Sequence, residues 1–148
     1  MRKEFVMRGQ TASGETEVLN FGKYKQGTAY KMTEFQIFPS SGATAQTVEL
    51  AATVTAAKTF EDPANPNFNN DGLIGTALFL LDFADYQAAS SVVNDTYMIT
   101  QNLILAVVDT KTGSPKPVNW KCKFESVKMT AAEEAAVNYK QFAISDGS

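Results

Sequence analysis

Two stretches of alternating apolar and polar residues constrain the fold of this chain more than any other feature. In "TVELAATVTA" at 47–56 and in "PVNWKCKFE" at 117–125, apolar side chains occupy every second position. A period of two places those side chains on one face of a β-strand, so that this face can pack while the other meets solvent. The pattern predicts half-buried strands, with Trp120, Cys122 and Phe124 turned inward.

Further segments have the same β-forming composition and are separated by turns rich in Gly, Pro, Asn and Ser. The additional predicted strands are 4–8, 16–21, 29–38, 73–83, 96–100, 103–109 and 139–145. We expect 103–109 and 117–125 to form a hairpin through "TKTGSPK". A bulge or twist is expected at Ser126, where the apolar positions change parity.

One segment has helical character. Thr130 precedes Glu133 by three residues, the spacing of a capping box in which each side chain satisfies a free backbone N–H of the other residue. Alanines follow, so the sequence predicts one or two helical turns within 130–140, crossing between the last two strands.

These elements predict a single all-β domain over residues 1–148, mainly antiparallel, in a β-sandwich or jelly-roll-like arrangement with one short helix near the C-terminus. A chain of 16.1 kDa is of ordinary size for one domain. The charged start "MRKEFVMRGQ" lacks the apolar core of a signal peptide, so export by that route is not expected. The longest apolar run, 73–81, is far shorter than the roughly 20 residues that span a bilayer.

Composition excludes several kinds of chemistry. The chain has no histidine and one cysteine, Cys122, which rules out a structural zinc site of Cys and His ligands and a histidine-activated nucleophile. We expect Cys122 to be a small buried apolar residue. A net charge of −3 without a dense basic cluster argues against nucleic-acid binding.

Carboxylate pairs remain as the only catalytic candidates, as in glycoside hydrolysis. Asp82 and Asp85 lie close together in "LLDFADY", and Glu15 and Glu17 are similarly spaced on a predicted strand. Charged residues at strand ends are usually solvated, so we predict no catalytic residue and a protein that is not an enzyme.

The segment "NPNFNND" at 65–71 resembles part of a calcium loop but lacks its closing ligand. Counted from Asn67 on the EF-hand template, the bidentate glutamate position is occupied by Leu78. A looser Ca²⁺ site from Asp62, Asn69, Asn70 and Asp71 is an alternative. The preferred interpretation is a connection in which Asn and Asp side chains bond their own backbone in Asx-turns, with no metal and no cofactor.

Aromatic residues in this loop suggest a binding role instead. Phe60 and Phe68 have no alternating strand in which to be buried, so they either cap the core or dock on another chain. We predict a partner interface of Phe60, Phe68, Asn69 and Asn70. An alternative is a carbohydrate-stacking platform built from the tyrosines, which are Tyr24, Tyr30, Tyr86, Tyr97 and Tyr139.

Nearly the whole chain resembles a small virion structural protein of tailed bacteriophages, notably marine ones. The segments that carry the resemblance are "FQIFPSS" (35–41), "NPNFNNDGLIG" (65–75), "VNDTYMITQNLIL" (93–105), "PVNWKCKFESVKM" (117–129) and "NYKQFAISD" (138–146). The resemblance implies a head decoration or cement protein that binds the major capsid protein as a homo-oligomer, for which we expect a trimer. It implies assembly in the host cytoplasm and location in the virion. The alternative within a phage is a tail or spike component that binds host glycans.

Overall fold

The computed structural model describes residues 3–21, 26–40, 47–56, 61–82, 86–110 and 115–147. Eight strands precede one helix. The strands are β1 (Glu4–Thr11), β2 (Thr16–Leu19), β3 (Thr28–Pro39), β4 (Thr47–Thr55), β5 (Leu73–Asp82), β6 (Tyr86–Val93), β7 (Leu103–Asp109) and β8 (Val118–Lys128). The helix is α1 (Ala131–Gly147).

The strands form two antiparallel sheets. One has three strands in the order β1-β8-β3, and the other has five in the order β2-β7-β4-β5-β6. β3 packs across the five-stranded sheet, against β5 and also against β4 and β6. The arrangement is a β-sandwich-like single domain, which confirms the predicted fold class.

The alternating apolar positions of both sheets meet in one core, as their period requires. The largest fully buried side chains are Phe35, Phe124, Met32, Leu50, Ile74, Ile99, Leu103, Leu105, Val48, Val54, Val107 and Val118. At one crossing Gly75 of β5 lies under β3, where an added Cβ would be 3.1 Å from Met32 Sδ and 3.3 Å from Phe35 Cδ2. The missing side chain lets the two sheets approach there.

Aromatic rings close one end of the sandwich. Phe5 stacks on Phe124 with ring centroids 5.5 Å apart, and Phe21 meets Phe124 edge-on at 4.9 Å. Phe21 also stacks on Tyr30 at 5.1 Å. Such contacts add to the free energy gained from burial, so this cluster ties β1, β3 and β8 together.

The predicted hairpin between 103–109 and 117–125 is wrong, because β7 and β8 belong to different sheets. At the end of β7, the buried Asp109 accepts hydrogen bonds from the backbone N–H groups of Glu49 and Lys116, at 3.3 and 2.9 Å. Both strands carry an inward apolar face, and that pattern is the same whether two strands share a sheet or face each other.

The irregularity expected at Ser126 lies on the partner strand. β8 is continuous to Lys128, and the register shifts in β3 between Met32 and Glu34. On the outer face of the same pair, Glu125 is buried and bonded to Lys31 at 3.2 Å, although alternation placed it outward.

Two strand predictions in the middle of the chain need correction. Residues 96–100 form only an isolated bridge between Tyr30 and Ile99, and the side chains of Tyr97 and Ile99 are buried in the core. β6, "YQAASSVV", was not predicted, because alanine and serine give a weak strand signal. It forms because it pairs along its full length with β5.

The C-terminal strand predicted at 139–145 is also wrong, because α1 continues through it for a total of 17 residues. The capping box is confirmed. Thr130 N–H donates to Glu133 Oε1 at 3.0 Å, and Glu133 N–H donates to Thr130 Oγ1 at 3.2 Å. Once a helix is nucleated, each added residue gains a hydrogen bond, so α1 is longer than the one or two turns expected. The predicted crossover to a last strand is therefore also wrong.

Replacing Phe124 by alanine should lower the free energy of unfolding by about 3–5 kcal/mol, because the ring is fully buried and leaves a cavity among other aromatic rings. Urea unfolding measures the change. Val6→Ala on neighbouring β1 is the control; its side chain is half exposed, so less than about 1 kcal/mol should be lost. Equal losses would contradict the assignment of Phe124 to the core.

The capping box makes α1 sensitive to acid. The backbone N–H and then the hydroxyl of Thr130 lower the pKa of Glu133 below its usual value of 4.5. Because the pKa of Glu133 is lower in the folded chain than in the unfolded chain, the stabilisation is fully present at a pH above the unfolded-state pKa. It is lost as the pH falls through the folded-state pKa. Ellipticity at 222 nm should therefore decline on acidification more in the wild type than in Glu133→Gln, and parallel curves would refute this role.

A candidate partner-binding loop and an adjoining groove

The segment 61–72, here called the asparagine loop, enters β5 at the end of the five-stranded sheet. Its first carboxylate, Glu61, organises it: Oε1 accepts a hydrogen bond from Asn67 N–H at 2.9 Å, and Oε2 accepts one from Asn70 Nδ2 at 2.6 Å. The Glu61 carbonyl accepts a hydrogen bond from Thr53 Oγ1 of β4 at 2.7 Å. The loop is thus tied to the sheet at its start.

Three successive Asx-turns complete the asparagine loop. Asp62 Oδ1 accepts from Ala64 N–H at 3.0 Å, Asn67 Oδ1 from Asn69 N–H at 3.0 Å, and Asn70 Oδ1 from Gly72 N–H at 2.9 Å. In each, a side-chain oxygen binds the backbone two residues later, as this residue type favours in turns. The Asx-turns expected in this loop are confirmed.

Two of the four residues considered as calcium ligands use side-chain oxygens inside the loop. Asn70 Oδ1 closes its Asx-turn, and Asp62, besides its own Asx-turn, accepts a second hydrogen bond from Asn65 Nδ2 at 3.2 Å. Within the described ranges, no group of three or more His, Cys, Asp or Glu side chains is placed to hold a metal ion.

The predicted interface residues have different positions. Phe68 is 64% exposed at the tip and Asn69 is exposed beside it, whereas Asn70 is half-buried and serves the loop's own structure. Phe60 lies outside the described residues. Two of the four predicted residues therefore point to solvent together, and whether they bind a partner stays a prediction.

A small cavity of about 260 Å³ lies beside the Phe68 ring. Its lining includes Phe68 and Asn70 of the loop together with Leu73 of β5 and Val92 of β6. Nearby, Tyr97 is buried, and this burial together with the negative charge of Asp71 raises its pKa to about 12.

A larger groove, of about 830 Å³, was not predicted. It lies between β3 and β6, the neighbouring edges of the two sheets, and its lining includes Phe38, Leu78, Trp120 and Lys121. Phe38 is half exposed and meets the buried Phe79 ring at 5.5 Å. Alternation marks Phe38 as an outward residue of β3, but only the stacking of the sheets shows that it borders a groove.

Three of the four candidate catalytic carboxylates lie in the described residues. Asp82 is exposed at the end of β5 and accepts a hydrogen bond from Thr47 Oγ1 at 3.4 Å, while Asp85 lies outside the described residues. Glu15, just before β2, and Glu17, within β2, are exposed.

The other candidate residues are largely structural. Cys122 is fully buried as expected, and burial raises the pKa of its thiol far above the usual range. Among the tyrosines proposed as a stacking platform, Tyr30 and Tyr97 pack in or against the core and Tyr139 is exposed on α1. Tyr24 and the Tyr86 side chain lie outside the described part of the chain.

Comparison with known proteins yields no assignment: no protein-family model matches the chain, and no curated protein matches it significantly. In the described ranges, the structure contains no helix with the length and apolar character needed to cross a membrane.

Asn70→Ala should lower the free energy of unfolding by about 1–3 kcal/mol, because it removes the hydrogen bond to the Glu61 carboxylate and an Asx-turn together. Chemical denaturation measures the loss. The adjacent Asn69→Ala is the matched control and should change stability by less than about 0.5 kcal/mol, since that side chain is exposed. Equal effects would show that the hydrogen bonds of Asn70 do not hold the loop.

Proposed function

We propose that this chain is a non-enzymatic structural protein of a bacteriophage particle, a head decoration or cement protein that binds neighbouring subunits of the major capsid protein. It assembles in the host cytoplasm and remains on the virion. Its contact with the capsid is made by the tip of the asparagine loop, through Phe68 and Asn69.

The observation that carries the proposal is the way in which Phe68 is held. Its ring is 64% exposed, yet the loop on both sides of it is fixed by hydrogen bonds from Asn67 N–H and Asn70 Nδ2 to Glu61. An aromatic anchor on a preordered loop loses little conformational entropy when it binds, so more of the contact energy becomes affinity.

Further support comes from the sequence and from the rest of the site. One of the five segments that resemble phage virion proteins, 65–75, contains most of the asparagine loop. Glu61, Asp62, Asn67 and Asn70 bond within the loop's own turns, and its tip presents an apolar ring and an amide. Such a surface suits a protein contact better than a reaction or an ion.

Phe68→Ala should leave the stability of the domain almost unchanged and weaken binding to capsids by about 30-fold, the loss expected when a central aromatic anchor is truncated. Purified protein is titrated onto heads prepared from a phage that encodes this chain and stripped of it, and bound protein is measured after sedimentation of the particles.

Val18→Ala is the matched control for this titration, because Val18 is a similarly exposed apolar residue on β2. It should bind like the wild type. Unchanged capsid binding by Phe68→Ala would refute the role of the loop, and failure of the wild type to bind heads at all would refute the proposed function.

A second candidate function has one observation in its favour. The groove between β3 and β6 combines the Phe38 and Trp120 rings with Gln36, Asn119 and Lys121, a mixture that suits a saccharide. A tail or spike protein that binds host glycans would then use the groove. Retention on immobilised host polysaccharide that Phe38→Ala abolishes would favour this candidate, and antibody labelling confined to phage heads would exclude it.

A further inference from the structure

We propose that β6 is a docking edge for a second copy of this chain, with the two β6 strands pairing antiparallel across a two-fold axis to make one continuous sheet. This inference concerns self-association and does not rest on the virion role, and it proposes a two-fold pair in place of the trimer expected from the resemblance. It starts from a comparison of the four strands that end the two sheets.

Exposed sheet edges invite pairing with other chains, and proteins usually block them with charges, bulges, proline or short length. β1 carries Glu4 and Arg8. β2 has only four residues, one of which is Glu17. β3 has a register shift after Met32, charged residues on both sides of it, and Pro39 at its end.

β6 has none of these protections. Its eight residues, "YQAASSVV", include no charge and no proline, and its register with β5 has no shift. In the part of the chain that the structure describes, no strand lies beyond it. Ala89, Ser90, Ser91 and Val92 are all exposed, which leaves a long, uncharged edge open to another strand.

The pairing with β5 shows which backbone groups of β6 are free. Asn94 N–H donates to the Ile74 carbonyl at 2.8 Å, so the opposite pair Ile74 and Asn94 is a hydrogen-bonded one. Hydrogen-bonded pairs alternate along an antiparallel ladder, so the even-numbered residues of β6 bond to β5. The backbone groups of Gln87, Ala89, Ser91 and Val93 therefore face outward.

A second copy satisfies all of these groups in one register. If Ser90 lies on the two-fold axis, Gln87 pairs with Val93 of the other copy and Ala89 with its Ser91. Each pair exchanges two hydrogen bonds, which gives about eight between the copies. Small Ala and Ser side chains permit the close approach, and an uncharged edge meets its own copy without like-charge repulsion.

The same register brings together exposed apolar side chains. Leu78 of β5 lies directly opposite Ser90, on the sheet face that also carries Val92, and these two side chains are 46% and 52% exposed. In the pair of copies, Val92 lies opposite Ala88 of the other copy and the two Leu78 side chains flank the axis. A contact that covers both residues gains hydrophobic free energy in addition to the backbone hydrogen bonds.

Sedimentation equilibrium across a range of protein concentrations tests the proposal. The wild type should dimerise. Ser90→Lys should raise the dimer Kd by about fivefold, because two lysines meet at the axis. Ala89→Pro should raise it by about tenfold or more, because proline removes an outward N–H and leaves the ladder to β5 intact. Val18→Lys, on the opposite edge of the same sheet, should have no effect.

Mixing Ser90→Lys with Ser90→Glu should restore association as a heterodimer, because opposite charges then meet at the axis. A wild type that stays monomeric at every concentration, or that associates with higher symmetry, would overturn the proposal. So would a dimer that Ser90→Lys and Val18→Lys weaken equally.

Disulfide trapping tests the register itself. A non-hydrogen-bonded pair has Cα atoms about 4.5 Å apart, within the range that a disulfide bridges. Ser90→Cys should therefore cross-link two copies on mild oxidation, and the buried Cys122 does not compete. Ala88→Cys is the control, since the two introduced thiols would lie too far apart. Cross-linking by Ala88→Cys and not by Ser90→Cys would refute the register.

Discussion

Packing of Met32 and Phe35 of β3 against the bare backbone at Gly75 of β5 is the contact on which the rest of the structure depends. A Cβ at 75 would lie 3.1 Å from Met32 Sδ and 3.3 Å from Phe35 Cδ2, so both side chains would have to shift by a few tenths of an ångström. Through this contact β3 packs on β5. β3 is the last strand of its sheet, so the five-stranded sheet extends beyond it by β6. The groove, and the exposed inner face of β6, follow from that offset.

The asparagine loop is stabilised by short-range hydrogen bonds among its own residues. Glu61 accepts from two donors within the loop, and Asp62, Asn67 and Asn70 each close a turn. The loop presents the exposed Phe68 ring at its tip. That tip shares a small cavity with Val92, so the proposed capsid contact and the proposed docking edge are neighbours on one side of the molecule. A particle-bound dimer could use both at once.

Local signals in the sequence were reliable where the structure is decided by neighbouring residues. Alternation located β4 and β8 to within a few residues, because a strand with one buried face must repeat every second residue, and β-forming composition between turns located β3, β5 and β7. The capping box at Thr130 marked the start of α1, and the Asn and Asp spacing indicated the Asx-turns, because each of these hydrogen bonds spans three residues or fewer. The extent of α1 was missed, since helix propagation competes with a weak strand pattern at 139–145.

By itself, the sequence determined that the chain is a β-sandwich or jelly-roll-like domain with inward Cys122 and Phe124, and that 61–72 contains a loop closed on its own side chains. Only the tertiary structure decided that β7 and β8 lie in opposite sheets, that Ile99 is buried in the core although it belongs to none of the strands, and that β6 forms an edge. It also decided that Phe38 borders a groove. Alternation specifies which side of a strand is buried but not which strand or sheet buries it, and that choice depends on contacts between residues far apart in the chain.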